Sequence, residues 1–136
     1  MIQMNDRAKL LGVAGERIAS EYLEKQGYFI REKNVEISTS DLSGQIPVIA
    51  EKGDLTVFVA VKLRTSRKMG PSLNNISPAK LAKLRALGNV YAKKNKIPAE
   101  QQFRVDLVSI ELTVGGDVGS LTHVEGEIEA GLEVVK

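Results

Sequence analysis

Cysteine is absent from these 136 residues, which excludes a disulfide framework, a thiolate metal site and a cysteine nucleophile. Tryptophan is absent as well, and three tyrosines and three phenylalanines are the whole aromatic complement. A protein that grips single-stranded nucleic acid by stacking bases needs more aromatic surface than that. His123 is the one histidine, and a lone histidine is more often structural or exposed than catalytic. No apolar run approaches the roughly 20 residues of a membrane-spanning helix. The first residues mix acid and base where a signal peptide would be apolar. These absences lead us to expect a cytoplasmic protein with no membrane contact.

The most telling absence is of acid. Residues 55–96 contain ten basic side chains and not one aspartate or glutamate. Residues 1–54 carry 7 basic and 9 acidic groups, and residues 97–136 carry 2 and 8, so the net charge of +2 conceals a strong segregation. A one-sign segment of that length attracts polyanions, and phosphate neutralisation is what drives nucleic-acid binding. The length suits one domain with a real core, expected over residues 1–136, with residues 113–136 as an acidic extension of undecided structure.

Local patterns give the order of elements. Residues 6–26 read as an amphipathic helix, with Leu11, Ala14, Ile18 and Tyr22 at helical spacing and Gly27 as its stop. Residues 28–37 are rich in β formers. Two strands follow over residues 45–51 and 55–63, joined through Lys52-Gly53-Asp54. Alternation in the second sends Leu55, Val57, Val59, Val61 and Leu63 to one face, and Thr56, Phe58, Ala60, Lys62 and Arg64 to the other. Ser77-Pro78 is a helix start, and that helix runs to about residue 95. Residues 103–112 form a further strand. Residues 113–120, glycine-rich, read as a turn, since they lack the Gly-Lys-Ser/Thr ending of a phosphate loop. Residues 122–136 fit a strand or a short helix equally. The expected fold class is α/β, in the order α-β-β-β-α-β, with a small mixed sheet of about four to five strands flanked by helices.

Several fragments together then resemble a known family. They are Gly15-Glu16-Arg17-Ile18-Ala19, Tyr22-Leu23-Glu24-Lys25-Gln26-Gly27-Tyr28, residues 44–62, Gly70-Pro71, Lys80, and Phe103-Arg104-Val105-Asp106-Leu107-Val108. The set is similar to the YraN-type predicted endonucleases, relatives of archaeal Holliday-junction resolvases within the PD-(D/E)xK nuclease superfamily. The resemblance implies a restriction-endonuclease-like core. It also implies a signature hairpin of the form Gly-Glu-Ile-Asp, about a dozen residues, then Glu-Val-Lys. In that family the aspartate and second glutamate are thought to bind a divalent metal, the lysine to orient water, and a glutamate of the first helix to assist. Laid on this chain, the lysine is Lys62 and the helix glutamate Glu16, but the aspartate falls at Pro47 and the second glutamate at Ala60.

A shift of one residue restores neither acid, because Ile46, Val48, Val59 and Val61 are apolar as well. Mg²⁺ wants near-octahedral oxygen ligation that includes carboxylate. Glu51 lies four residues beyond Pro47, roughly 13 Å along an extended strand. Asp41, in a polar turn, is the one nearby acid that could stand in. Asp106 reads as half of a structural ion pair.

The expectation is therefore a DNA-binding protein of nuclease-like fold that has lost metal-dependent hydrolysis and needs no cofactor. Lys62, Arg64, Arg67, Lys68, Lys80 and Lys83 would contact the phosphates of duplex or branched DNA, with Lys62 and Glu16 as residual members of the catalytic set. Two alternatives stay open. One is an active, Mg²⁺-dependent, structure-selective endonuclease with a relocated acid. The other is a homodimeric interaction protein with no nucleic-acid role.

Overall fold

The computed structural model describes residues 4–65, 77–126 and 129–130, with side chains from Leu10 to Gly126. Helix α1 (Met4–Lys25) is followed by strands β1 (Phe29–Ser38), β2 (Ser43–Lys52) and β3 (Leu55–Thr65). Helix α2 (Pro78–Lys94), β4 (Gln102–Leu112), β5 (Val118–Val124) and the two-residue β6 (Glu129–Ala130) complete the order. The strands lie in one sheet, β1-β2-β3-β4-β5, with β6 pairing β4. All neighbours are antiparallel except β3 and β4. A parallel pair needs a crossover, and α2 lies in that connection.

The termini follow local chemistry. Gly27, at φ +95°, ends α1 in a conformation that costs glycine little. Ser77 caps α2, its hydroxyl accepting from the Lys80 amide at 3.2 Å, and Pro78 opens the first turn. Residues 118–124 are strand, so the glycine-rich turn stops three residues before the sequence pattern suggested, and in the tail residues 122–124 and 129–130 are strand.

Each face of the sheet carries a core. On the α1 face Ala19 and Leu23 pack on Val48, Ala50, Val57, Val59, Val108 and Ile110. On the α2 face Leu84, Leu87 and Tyr91 pack on Ile46, Ile49, Phe58 and Leu107. The alternation expected for β3 holds, Val57 and Val59 to one side and Phe58 and Ala60 to the other.

Helix α2 approaches the sheet over Gly88. A Cβ there would lie 2.5 Å from Phe58 Cδ2. Phe58 cannot yield readily, since it stacks on Phe103 at 5.8 Å and meets Tyr91 edge-on at 6.4 Å. Overpacking of that kind costs roughly 1–3 kcal/mol, against a gain of about 1 kcal/mol for alanine over glycine within a helix. Gly88→Ala is thus expected to lower the melting temperature. An unchanged or raised value would show that the helix can lift without loss.

Candidate functional site

The β2–β3 ladder stops short. Its pairs run from Lys52↔Leu55 to Val48↔Val59 and no further, although both strands continue. Beyond Val59, β3 keeps its pairing with β4 as far as Thr65↔Leu112. The two strands therefore fork, with Gln45, Ile46 and Pro47 on one arm and Ala60, Val61 and Lys62 on the other. Continuing the register would set Pro47 across from Ala60.

Pro47 explains the fork. It has no N–H to give a ladder, so β2 cannot remain paired through it. It also marks a slip in phase. Regular alternation would put Ile46 and Val48 on one face, yet Ile46 joins the α2-side core and Val48 the α1-side core. The neighbouring strand bends at the same level, where Asn34 sits at φ +54° between the pairs Lys33↔Val48 and Val35↔Ile46. Pro47 lies in an interior strand, at the point where one of that strand's two ladders has ended.

The fork opens into a cleft on each face. That under α2 encloses about 250 Å³ and is lined by Gln45, Pro47, Ala60, Val61, Lys80, Lys83, Leu84 and Leu87. That beside α1 encloses about 300 Å³ and is lined by Leu11, Gly12, Gly15, Glu16, Pro47, Val61 and Leu63. Pro47 and Val61 belong to both. The two positions where the resembled pattern would place carboxylates thus meet in one cleft, and two lysines stand with them.

The other candidate residues are dispersed. Glu16 lines the α1-side cleft with Pro47, and burial pushes its carboxyl up, an effect partly offset by the charge of Lys33. Lys62 is half-buried on β3, in register with Ser109, and is not among the described residues lining the α2-side cleft. Arg64 turns to Glu111 on β4, with Nε 3.4 Å from Oε2, so its position favours an ion pair across the strands over contact with the cleft. Arg67 and Lys68 lie outside the described residues.

The acids are engaged elsewhere. Glu51 accepts from Arg31 at 2.9 Å, Glu36 from Gln45 at 3.2 Å, and Glu32 from the Tyr91 hydroxyl. Asp41 is exposed in the β1–β2 turn, its amide bonded to Thr39 Oγ1, and it lines neither cleft. Among the described residues no three of His, Cys, Asp and Glu come together in a way that could hold a metal ion. The family resemblance implies a divalent cation at the fork. The α2-side cleft does not fit one, because its lining offers no carboxylate, only the single amide oxygen of Gln45, and two lysines add positive charge.

Asp106 is the hub of a buried network on the α1 face. Arg104 grips it through two bonds of 2.7 and 2.8 Å and also donates to the Tyr28 hydroxyl at 2.7 Å. His123 Nε2 lies 2.7 Å from Asp106 Oδ2, and the Gly126 amide donates to Oδ1 at 3.1 Å. With Asp106 accepting from every side, His123 donates to it through Nε2–H, and Nδ1 lies 3.1 Å from the Tyr22 hydroxyl. Asp106 is thus the structural ion-pair member that the sequence suggested, and His123 is structural too. The roles of Tyr22 and Tyr28 were not visible in the sequence, because each comes from an element distant along the chain. Equally hidden were the apolar walls of the two clefts. Proline within a strand was the one signal that could have pointed to them.

Comparison with known proteins gives the chain its relatives. The model of the uncharacterised protein family UPF0102 matches residues 15–110, a span that takes in the fork and both its arms. A UPF0102 protein of Dictyoglomus turgidum is 33% identical over 110 residues, covering 81% of this chain and 89% of its own. One from Pelotomaculum thermopropionicum is 34% identical over 122 residues, covering 90% and 98%. One from Paenarthrobacter aurescens is 35% identical over 121 residues, covering 88% and 95%. The YraN-type proteins that the hairpin resembles are this same family, and the chain belongs to the UPF0102 family.

Proposed function

We propose that this protein binds nucleic acid through its phosphates at the β2–β3 fork and does not hydrolyse it by a metal-dependent route. The observation that carries the reading is the content of the α2-side cleft, where Pro47 and Ala60 share the floor with Lys80 and Lys83. The lysines stand at the start of α2, where the backbone dipole is itself positive, and no acidic residue occupies the first turn. Helix N-terminus and lysines together favour an anion. The open, lysine-rimmed form of the cleft suits a backbone phosphate better than a base, and the lack of tryptophan points the same way. Binding of this kind is sensitive to salt and indifferent to sequence.

Two measurements on the whole chain test the reading. Gel shifts in low salt with duplex and branched DNA are expected to show complexes, with no cleavage on adding Mg²⁺. Absence of any complex would sink the proposal. So would Mg²⁺-dependent cutting by the wild type that Lys62→Ala removes, since that outcome supports an enzyme with a relocated acid. A paired variant, Pro47→Asp/Ala60→Glu, restores two facing carboxylates. Mg²⁺ is expected to raise its melting temperature and leave that of the wild type unmoved, because a cation held only by the folded state stabilises it by mass action.

A further inference from the structure

The two edges of the sheet differ in kind. β1 carries Arg31, Glu32, Lys33 and Glu36 within its ten residues, slips register between Ile30 and Glu32, and bends at Asn34. Charges and irregularities of this sort prevent another strand from adding to an edge. β5 has no such protection in its composition. Val118-Gly119-Ser120-Leu121-Thr122-His123-Val124 contains neither proline nor lysine, arginine, aspartate or glutamate. Its pairing with β4 skips Gly119 once, which leaves residues 120–124 as a regular run. Among the described residues no strand pairs with the outer side of that run. Val118 and Val124 at its ends are 47% and 40% exposed, and Val114 in the preceding turn is 79% exposed.

We propose that β5 is the interface through which two copies of this chain associate, pairing antiparallel about a two-fold axis at Thr122. The register follows from the run itself. Residues 120–124 overlap fully with an antiparallel copy of themselves only when Thr122 meets its own counterpart. Ser120 then lies opposite Val124 of the second copy, and Leu121 opposite His123. No like charges face each other, and threonine pairs are among the favourable cross-strand contacts. The flanking acids stay outside the ladder. Asp117 belongs to the turn, its amide bonded to Thr113 Oγ1 at 3.1 Å, and Glu125 turns to Arg104 at 3.6 Å. A second copy is the occupant the run selects, because an uncharged, self-complementary strand offers nothing that would prefer a foreign one and suits an isologous contact.

This pairing has a consequence for the fork. Antiparallel addition about an axis normal to the sheet keeps both α2 helices on one face. Five strand spacings then separate the two copies of β3, roughly 24 Å across the strands. If the phosphate reading above is correct, one nucleic acid could engage both lysine pairs.

The test requires no nucleic acid, so its outcome is separate from that reading. Sedimentation equilibrium of the wild type is expected to give the mass of two chains, and Thr122→Lys, which sets two cations face to face on the axis, the mass of one. The chain has no cysteine of its own, so a single engineered thiol reports the contact directly. Thr122→Cys is expected to yield a disulfide-linked dimer on mild oxidation with diamide, and the exposed control Val114→Cys is not. A wild type that stays at the mass of one chain at its highest soluble concentration overturns the proposal. So does a dimer that survives Thr122→Lys with its circular dichroism unchanged, or a Thr122→Cys that cross-links no faster than the control.

Discussion

Asp106→Ala is expected to cost about 3–5 kcal/mol of folding stability, the range for removing one partner of a buried ion pair. The reason is what stays behind. The Arg104 side chain is 7% exposed and that of Asp106 is fully buried, so deleting the carboxylate leaves a guanidinium in the core with only the Tyr28 hydroxyl and the exposed Glu125, 3.6 Å away, to face. His123 Nε2 and the Gly126 amide lose their acceptor in the same step. Urea unfolding should show the midpoint falling by that free energy divided by the slope, with the slope itself unchanged. Replacing both members, Arg104→Met with Asp106→Leu, should recover much of the loss, because no charge is then left unpaired. A single-mutant cost below about 1 kcal/mol would show that water reaches the network, the regime of exposed pairs.

This network also shows why some of the molecule could be read from its sequence and some could not. Residues close along the chain announced themselves: the alternation of β3, the Ser77-Pro78 start of α2 and the stop at Gly27. Those features depend on backbone geometry that neighbours set locally. The fork depends on where pairing between two strands ends, which is decided by a proline in β2, a left-handed asparagine in β1 and the parallel hold of β4 on β3 acting together. The family pattern assigned its two metal-ligand positions to Pro47 and Ala60, and the structure brings both into one cleft. It could not foresee that Arg64, on the same face of β3 as Ala60, would be turned to Glu111 by a parallel neighbour 47 residues away in the chain. Nor could it show that Glu16 lines the α1-side cleft with Pro47. Lys80 and Lys83 were legible because a single helix start fixes where they stand.

Those two lysines support the prediction on which the functional reading depends most. Lys80→Glu/Lys83→Glu is expected to weaken binding to duplex DNA by at least about 50-fold near 0.1 M salt, and to flatten the dependence of log affinity on log salt by about 1.8, the contribution of two neutralised phosphates. The same change should not harm the fold, and Lys80→Glu alone should help it. Ser77 caps α2 and its hydroxyl already accepts from the amide of residue 80. A glutamate there would complete a Ser-x-x-Glu capping box and would sit favourably against the positive end of the helix. The wild-type chain instead carries a cation where helix stability prefers an anion. On the proposed reading a phosphate in the cleft offsets that cost, which a merely solvated helix face would not. Affinity and stability are thus expected to move in opposite directions in one variant. Fluorescence anisotropy against salt, with a thermal melt of the same sample, reads both. If the melting temperature falls together with affinity, the lysines serve the fold. If neither moves, the fork is not where phosphates are held.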